Sequence, residues 1–147
     1  MKRRFWYWIT DALALLALLG VTLFVLIRWR SFPAQLPAHF GGDGAATNYG
    51  NKTGALLTPL VLSWVVFASM EVLSFFPQSW NVPRQTPRAY QAVGDSLAAL
   101  RLILALLFAY LIVCTALCRG LGVWFLPAML ALVLGDVLFL LIQTFRR

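Results

Sequence analysis

The side chains able to do chemistry are few: five acidic residues and one histidine stand among 147. His39 and Asp43 lie four apart, and imidazole with carboxylate is a common pairing for a divalent cation. Two ligands fall short of the usual three or four, and Lys52 adds positive charge nearby, so no metal and no cofactor is expected. Other fates for His39 are a hydrogen bond to a loop carbonyl, with Phe40 and Tyr49 packing over helix ends, or a part in partner recognition. Cys114 and Cys118 share one helical face, a spacing that rarely suits a disulfide, and two thiols make no zinc site. Nothing pairs a nucleophile with a base, and no glycine-rich turn leads from a strand to cradle phosphate, so an enzyme is not expected. What remains is ion pairing inside an apolar body and recognition by a loop.

The elements that must carry these groups are set by composition. The chain is 61% hydrophobic and 12% charged, with mean hydropathy +0.81, against about 25% charged residues in an ordinary soluble domain. That excludes a soluble globular domain and a disordered chain alike. Apolar runs at Phe5–Ile27, Leu56–Phe76, Leu97–Cys118 and Val123–Phe145 are each long enough, at about 1.5 Å per residue, to cross a hydrocarbon core of about 30 Å. None alternates as a barrel strand must, so the expected fold is an all-α integral membrane protein of four transmembrane helices. The first run is expected to remain as an anchor, because it ends in Arg28-Trp29-Arg30 and not in a small-residue cleavage site. Prolines 59 and 127 are placed in the first turns of the second and fourth helices, where a missing N–H costs little.

The net charge of +7 falls in clusters at the ends of apolar runs, which points to topology and away from nucleic acid. Lys2, Arg3, Arg4, Arg84, Arg88, Arg101, Arg146 and Arg147 outnumber Arg28, Arg30, Lys52 and Arg119 on the other side. The positive-inside rule therefore puts both termini and the 77–96 connection in the cytoplasm. Aromatic residues mark both boundaries, Phe5 to Trp8, Phe75, Phe76 and Trp80 on one and Trp29, Trp124 and Phe125 on the other. Trp64 lies inside a span and belongs to neither belt.

Each span carries one ionisable side chain: Asp11, Glu71, Arg101 and Asp136. An unpaired charge near the bilayer centre costs roughly 2.5–3.5 kcal/mol even on a lenient scale, so such groups face one another or water. All four fall in the cytoplasmic half, which permits Arg101 to bridge two of the three carboxylates. Asp11, closest to the basic N-terminus, is expected at the interface. The cluster reads either as glue between helices or as a proton or cation path through Glu71 and Asp136.

The connection at residues 28–55 is the specific part. It holds glycines 41, 42, 44, 50 and 54 with Pro33 and Pro37, and glycines this dense suggest a folded-back loop with neither strand nor helix. A proline-rich lead into Leu36-Pro37-x-His39-Phe40, then Gly44, Tyr49-Gly50 and Lys52, resembles the membrane family of domain of unknown function 1648, shared with SdpI-type bacteriocin-immunity proteins. The resemblance runs from the first helix through the second. Thr47 stands where the family usually has an acidic residue, and Gly41 where it often has Asn.

One membrane domain over 1–147 is expected, with a family-like two-helix unit (1–76), a basic cytoplasmic loop (77–96) and a helical hairpin (97–147). The resemblance implies an immunity-like, sensing or protein-interaction component of a bacterial-type cell membrane. A peptide or membrane-protein partner would then meet the outer loop. The alternatives are a small homo-oligomeric proton- or cation-coupled transporter or channel, and an auxiliary subunit of a larger complex. The lipid bilayer is a partner in every case.

Overall fold

The structure is a computed structural model that describes residues 5–82 and 86–145. Four long helices dominate it: α1 (Phe5–Arg28), α2 (Lys52–Phe75), α3 (Pro87–Ala116) and α4 (Phe125–Phe145). All four are long and apolar enough to cross a membrane, which makes this a multi-pass membrane protein by length and composition. Leu16, Leu26, Ile27, Val65, Leu134 and Leu138 lie on the outside of the bundle, as they should where the surrounding solvent is hydrocarbon.

Helix α3 is the axis of the bundle and packs against α1, α2 and α4 in turn. Its buried positions explain how it does so: Ala89, Ala92, Gly94, Ser96, Ala98 and Ala105 are small residues that let neighbouring backbones approach. Lipid tails are as apolar as leucine, so such contacts and hydrogen bonds hold the helices together where the hydrophobic effect does not. Larger side chains gather at the hairpin end, where Val21, Val25, Phe32, Leu36, Leu56, Leu60 and Ile112 form one buried cluster. Trp64 belongs to this interior, where its indole N–H donates to Thr22 Oγ1 at 3.0 Å and ties α2 to α1.

Two boundaries differ from the sequence expectation. α3 begins at Pro87, ahead of Leu97, because Thr86 caps it by accepting from the Ala89 N–H at 3.2 Å and Pro87 takes the first helical position. Half of the expected 77–96 loop, from Pro87 on, is therefore helix, and Arg88 and Asp95 sit on α3. α2 begins at Lys52, capped by Asn51, whose side chain accepts from Gly54 N–H at 2.7 Å. Pro59 consequently lies inside α2 and not in its first turn, and has no N–H to give to the Ala55 carbonyl. Lys2, Arg3, Arg4, Arg84, Arg146 and Arg147, which dominate the charge count used for topology, lie outside the described residues.

The larger correction concerns the segment between α1 and α2. It is an antiparallel hairpin, β1 (Gln35–Phe40) with β2 (Ala46–Asn51), so the fold is helical with a small sheet and not all-α. The turn is a three-residue hairpin loop: Gly44 N–H bonds the Gly41 carbonyl at 2.9 Å, Gly41 N–H bonds the Ala45 carbonyl at 2.8 Å, and Gly44 has φ +76°. Asp43 Oδ1 reinforces it by accepting from Ala45 N–H at 3.0 Å. Pro37 is accommodated at an irregularity, since the register shifts between Pro37 and His39, the kind of position where a strand tolerates proline.

Candidate functional site

The motif residues divide by role once they are placed. Leu36 is fully buried among Val21, Val25, Leu56 and Ile112, and Pro37 is buried beside it. These two seat β1 on the helices. Lys52 fastens the other end, its ammonium donating to the Trp29 carbonyl at 3.1 Å and lying 5.1 Å from the centre of the Trp29 ring. Gly50 faces Ala38 across the strands, where an added Cβ would stand 3.2 Å from the Ala38 methyl.

Gly44 docks the hairpin tip on the α3–α4 connection. Its carbonyl accepts from Leu121 N–H at 2.8 Å. A Cβ there would meet Gly122 backbone atoms at 2.5–2.8 Å, so only glycine fits. Gly122 itself has φ +81°. This contact joins the first half of the chain to the second, and sequence reasoning missed it because nothing local links residues 44 and 122.

His39, Phe40 and Tyr49 remain turned toward the surroundings: His39 and Tyr49 are exposed and Phe40 is half-buried. The imidazole has no hydrogen-bond partner among the described residues, so the expected bond to a loop carbonyl is not made. His39 and Phe40 border a cavity of about 480 Å³ between the hairpin, the start of α2 and the end of α3. Pro37, Gly50, Pro59, Leu62, Leu111 and Thr115 also line it. Its walls are apolar, with His39, Asn51, Thr58 and Thr115 as scattered polar points, a composition typical of a pocket that binds by shape and is oriented by a few hydrogen bonds. Ala55 and Pro59 both border it, so the interrupted helical ladder of α2 faces this space.

The second cluster lies toward the opposite end of the helices. Arg101, with its side chain 1% exposed, pairs through Nη2 with Asp11 and through Nη1 with Glu71 at 2.5 Å. One guanidinium thus clamps α1 and α2 to α3, as fork geometry allows. Asp11 is part of this interior pair and is not confined to the interface. Asp136 is held separately, accepting from Ser96 Oγ at 2.5 Å. Tyr7 donates to Asp95 at 2.7 Å, an interaction hidden from a reading that put Asp95 in a loop. Cys114 and Cys118 are free thiols, and among the described residues no group of three metal-ligating side chains exists.

Residues 15–62 match the family described as domain of unknown function DUF1648. The matched stretch runs from within α1 through the hairpin to Leu62 on α2, and contains the whole motif and most of the cavity wall, but none of Asp11, Glu71, Arg101 and Asp136. No curated protein and no solved structure matches the chain.

Proposed function

We propose that this chain is a non-enzymatic, immunity-like component of a bacterial-type cell membrane, a sensing or protein-interaction protein with its termini in the cytoplasm and its hairpin outside. The cavity under the hairpin takes an extended peptide or a loop of a membrane-protein partner. The observation that carries this reading is the gathering of His39 and Phe40, exposed and half-buried respectively, at an apolar cavity of about 480 Å³ while Leu36, Pro37, Gly44 and Lys52 anchor the hairpin. A rigid hairpin presenting such a space is preorganised, so a partner bears little of the ordering cost. The two-stranded sheet also leaves an exposed β2, whose edge is a template for an added strand.

A photoreactive residue at position 39 tests this in native membranes, with position 124, which is exposed on the α3–α4 connection and does not line the cavity, as the control. A discrete adduct from position 39 and none from 124 is the expected result. The same diffuse labelling from both positions would refute it.

The intramembrane charges favour a second reading, a small homo-oligomeric proton- or cation-coupled transporter, or an auxiliary subunit of a larger complex. It rests on Asp136 and Ser96 buried together within the helices. Proton-coupled flux in vesicles that disappears in Asp136→Asn or Glu71→Gln would favour it over the first.

A further inference from the structure

The hairpin end of the bundle carries an imbalance that neither reading uses. Arg28, Arg30 and Lys52 meet where α1 ends and α2 begins. No acidic residue of this chain is near them. Asp43 is at the hairpin tip, a strand length or about 20 Å from Lys52, and Asp11, Glu71, Asp95 and Asp136 lie toward the other end of the helices. If the hairpin faces outward, these are three of the four cations on the side where such charge is normally scarce.

Directly below the cations is an open apolar recess of about 420 Å³, lined by Leu26, Ile27, Leu57, Trp29 and Arg30. Ile27 is 78% exposed and Leu26 59%, at the end of a membrane-length helix where acyl chains begin. Trp29 stands between the two zones, its indole an interfacial ring and its carbonyl held by Lys52. Arg28 Nε is engaged with Ser31 Oγ at 3.2 Å. Arg30 is exposed and makes no ion pair or hydrogen bond among the described residues.

We propose that this corner binds an anionic phospholipid of the hairpin-side leaflet. One acyl chain lies along Leu26, Ile27 and Leu57, and the phosphodiester sits at Arg30, beside Arg28 and Lys52. A neutral lipid would satisfy the apolar recess but leave the cluster's positive charge uncompensated, whereas an anionic headgroup answers both. Attraction of about 1 kcal/mol per basic residue near a charged surface corresponds to about fivefold in affinity.

The test uses the full chain in nanodiscs of phosphatidylcholine containing a brominated lipid, either phosphatidylglycerol or phosphatidylcholine, at increasing mole fraction. Quenching at Trp29 is isolated as the difference between the wild type and Trp29→Phe. Brominated phosphatidylglycerol is expected to quench Trp29 at several-fold lower mole fraction than brominated phosphatidylcholine. Arg30→Gln should lower this relative affinity about fivefold, while Arg119→Gln, an exposed cation elsewhere on the same side, leaves it unchanged. Arg28→Gln repeats the test at a second exposed position. Equal quenching by the two lipids, or a preference that survives both Arg30→Gln and Arg28→Gln, overturns the proposal. So does a preference abolished by millimolar inorganic phosphate at constant ionic strength, which would make the site one for the free anion.

Discussion

At the scale of single residues, Arg101 is the most constrained side chain in the bundle. It is buried between two carboxylates from different helices, and removing one member of a buried ion pair typically costs about 3–5 kcal/mol because the other charge is left uncompensated. Arg101→Met should therefore lower the unfolding midpoint in detergent steeply. The triple variant with Asp11→Asn and Glu71→Gln should recover much of that loss, and failure to recover would show that Arg101 contributes through packing alone. Cys118 is the opposite case. It ends α3 with φ +52°, and Arg119 N–H bonds back to the Cys114 carbonyl at 2.9 Å in a helix-ending motif that favours glycine. Cys118→Gly is expected to stabilise the protein by about 1 kcal/mol, read as a higher melting temperature. The four intramembrane charges were legible from sequence because hydrocarbon penalises each one. Their pairing was not fully legible, since Ser96, the partner of Asp136, carries no charge and leaves no such signal.

At the scale of elements, the hairpin is where sequence and structure part. The dense glycines suggested irregular chain, yet Asp43-Gly44 flanked by Phe40 and Ala46 is a hairpin turn signal. Three of the glycines mark the turn itself, at 41, 42 and 44, and do not weaken the strands. Pro37 argued against a strand until a register shift absorbed it. The start of α3 was missed for a related reason: apolar density marks the membrane span, whereas the Thr86-Pro87 cap marks the helix, and the helix is longer than its apolar part. Gly44→Ala tests the hairpin's seating. The new methyl would meet the Gly122 backbone at 2.5–2.8 Å in a conformation unfavourable for any L side chain. A loss of about 2 kcal/mol or more is expected, together with greater labelling of a cysteine placed at Leu121, which is buried beneath the tip. Unchanged stability and labelling would mean that the tip is not docked. Trp64→Phe should cost about 1 kcal/mol through its bond to Thr22, measured in the same unfolding assay.

At the scale of the whole molecule, α3 organises the chain: it bears Arg101 for α1 and α2, Ser96 for α4, and Thr115 on the wall of the hairpin cavity. α4 packs on α3 and otherwise presents its side chains outward, with Asp136 and Thr144 its buried positions. Four membrane-length helices were legible from hydropathy alone. The cavity was not, because it is assembled from the hairpin, α2 and the far end of α3, and a contact between residues so distant in sequence has no local signature. The proposed function requires that this cavity receive a partner. The most direct measurement is native mass analysis of the chain extracted from native membranes in mild detergent, comparing the wild type with Thr58→Trp. Thr58 is exposed on the cavity wall, so the indole fills the space without disturbing the buried core. A stoichiometric partner carried by the wild type and lost in Thr58→Trp is the predicted result. A lone chain or homo-oligomer in both, or a partner retained equally by both, would contradict it.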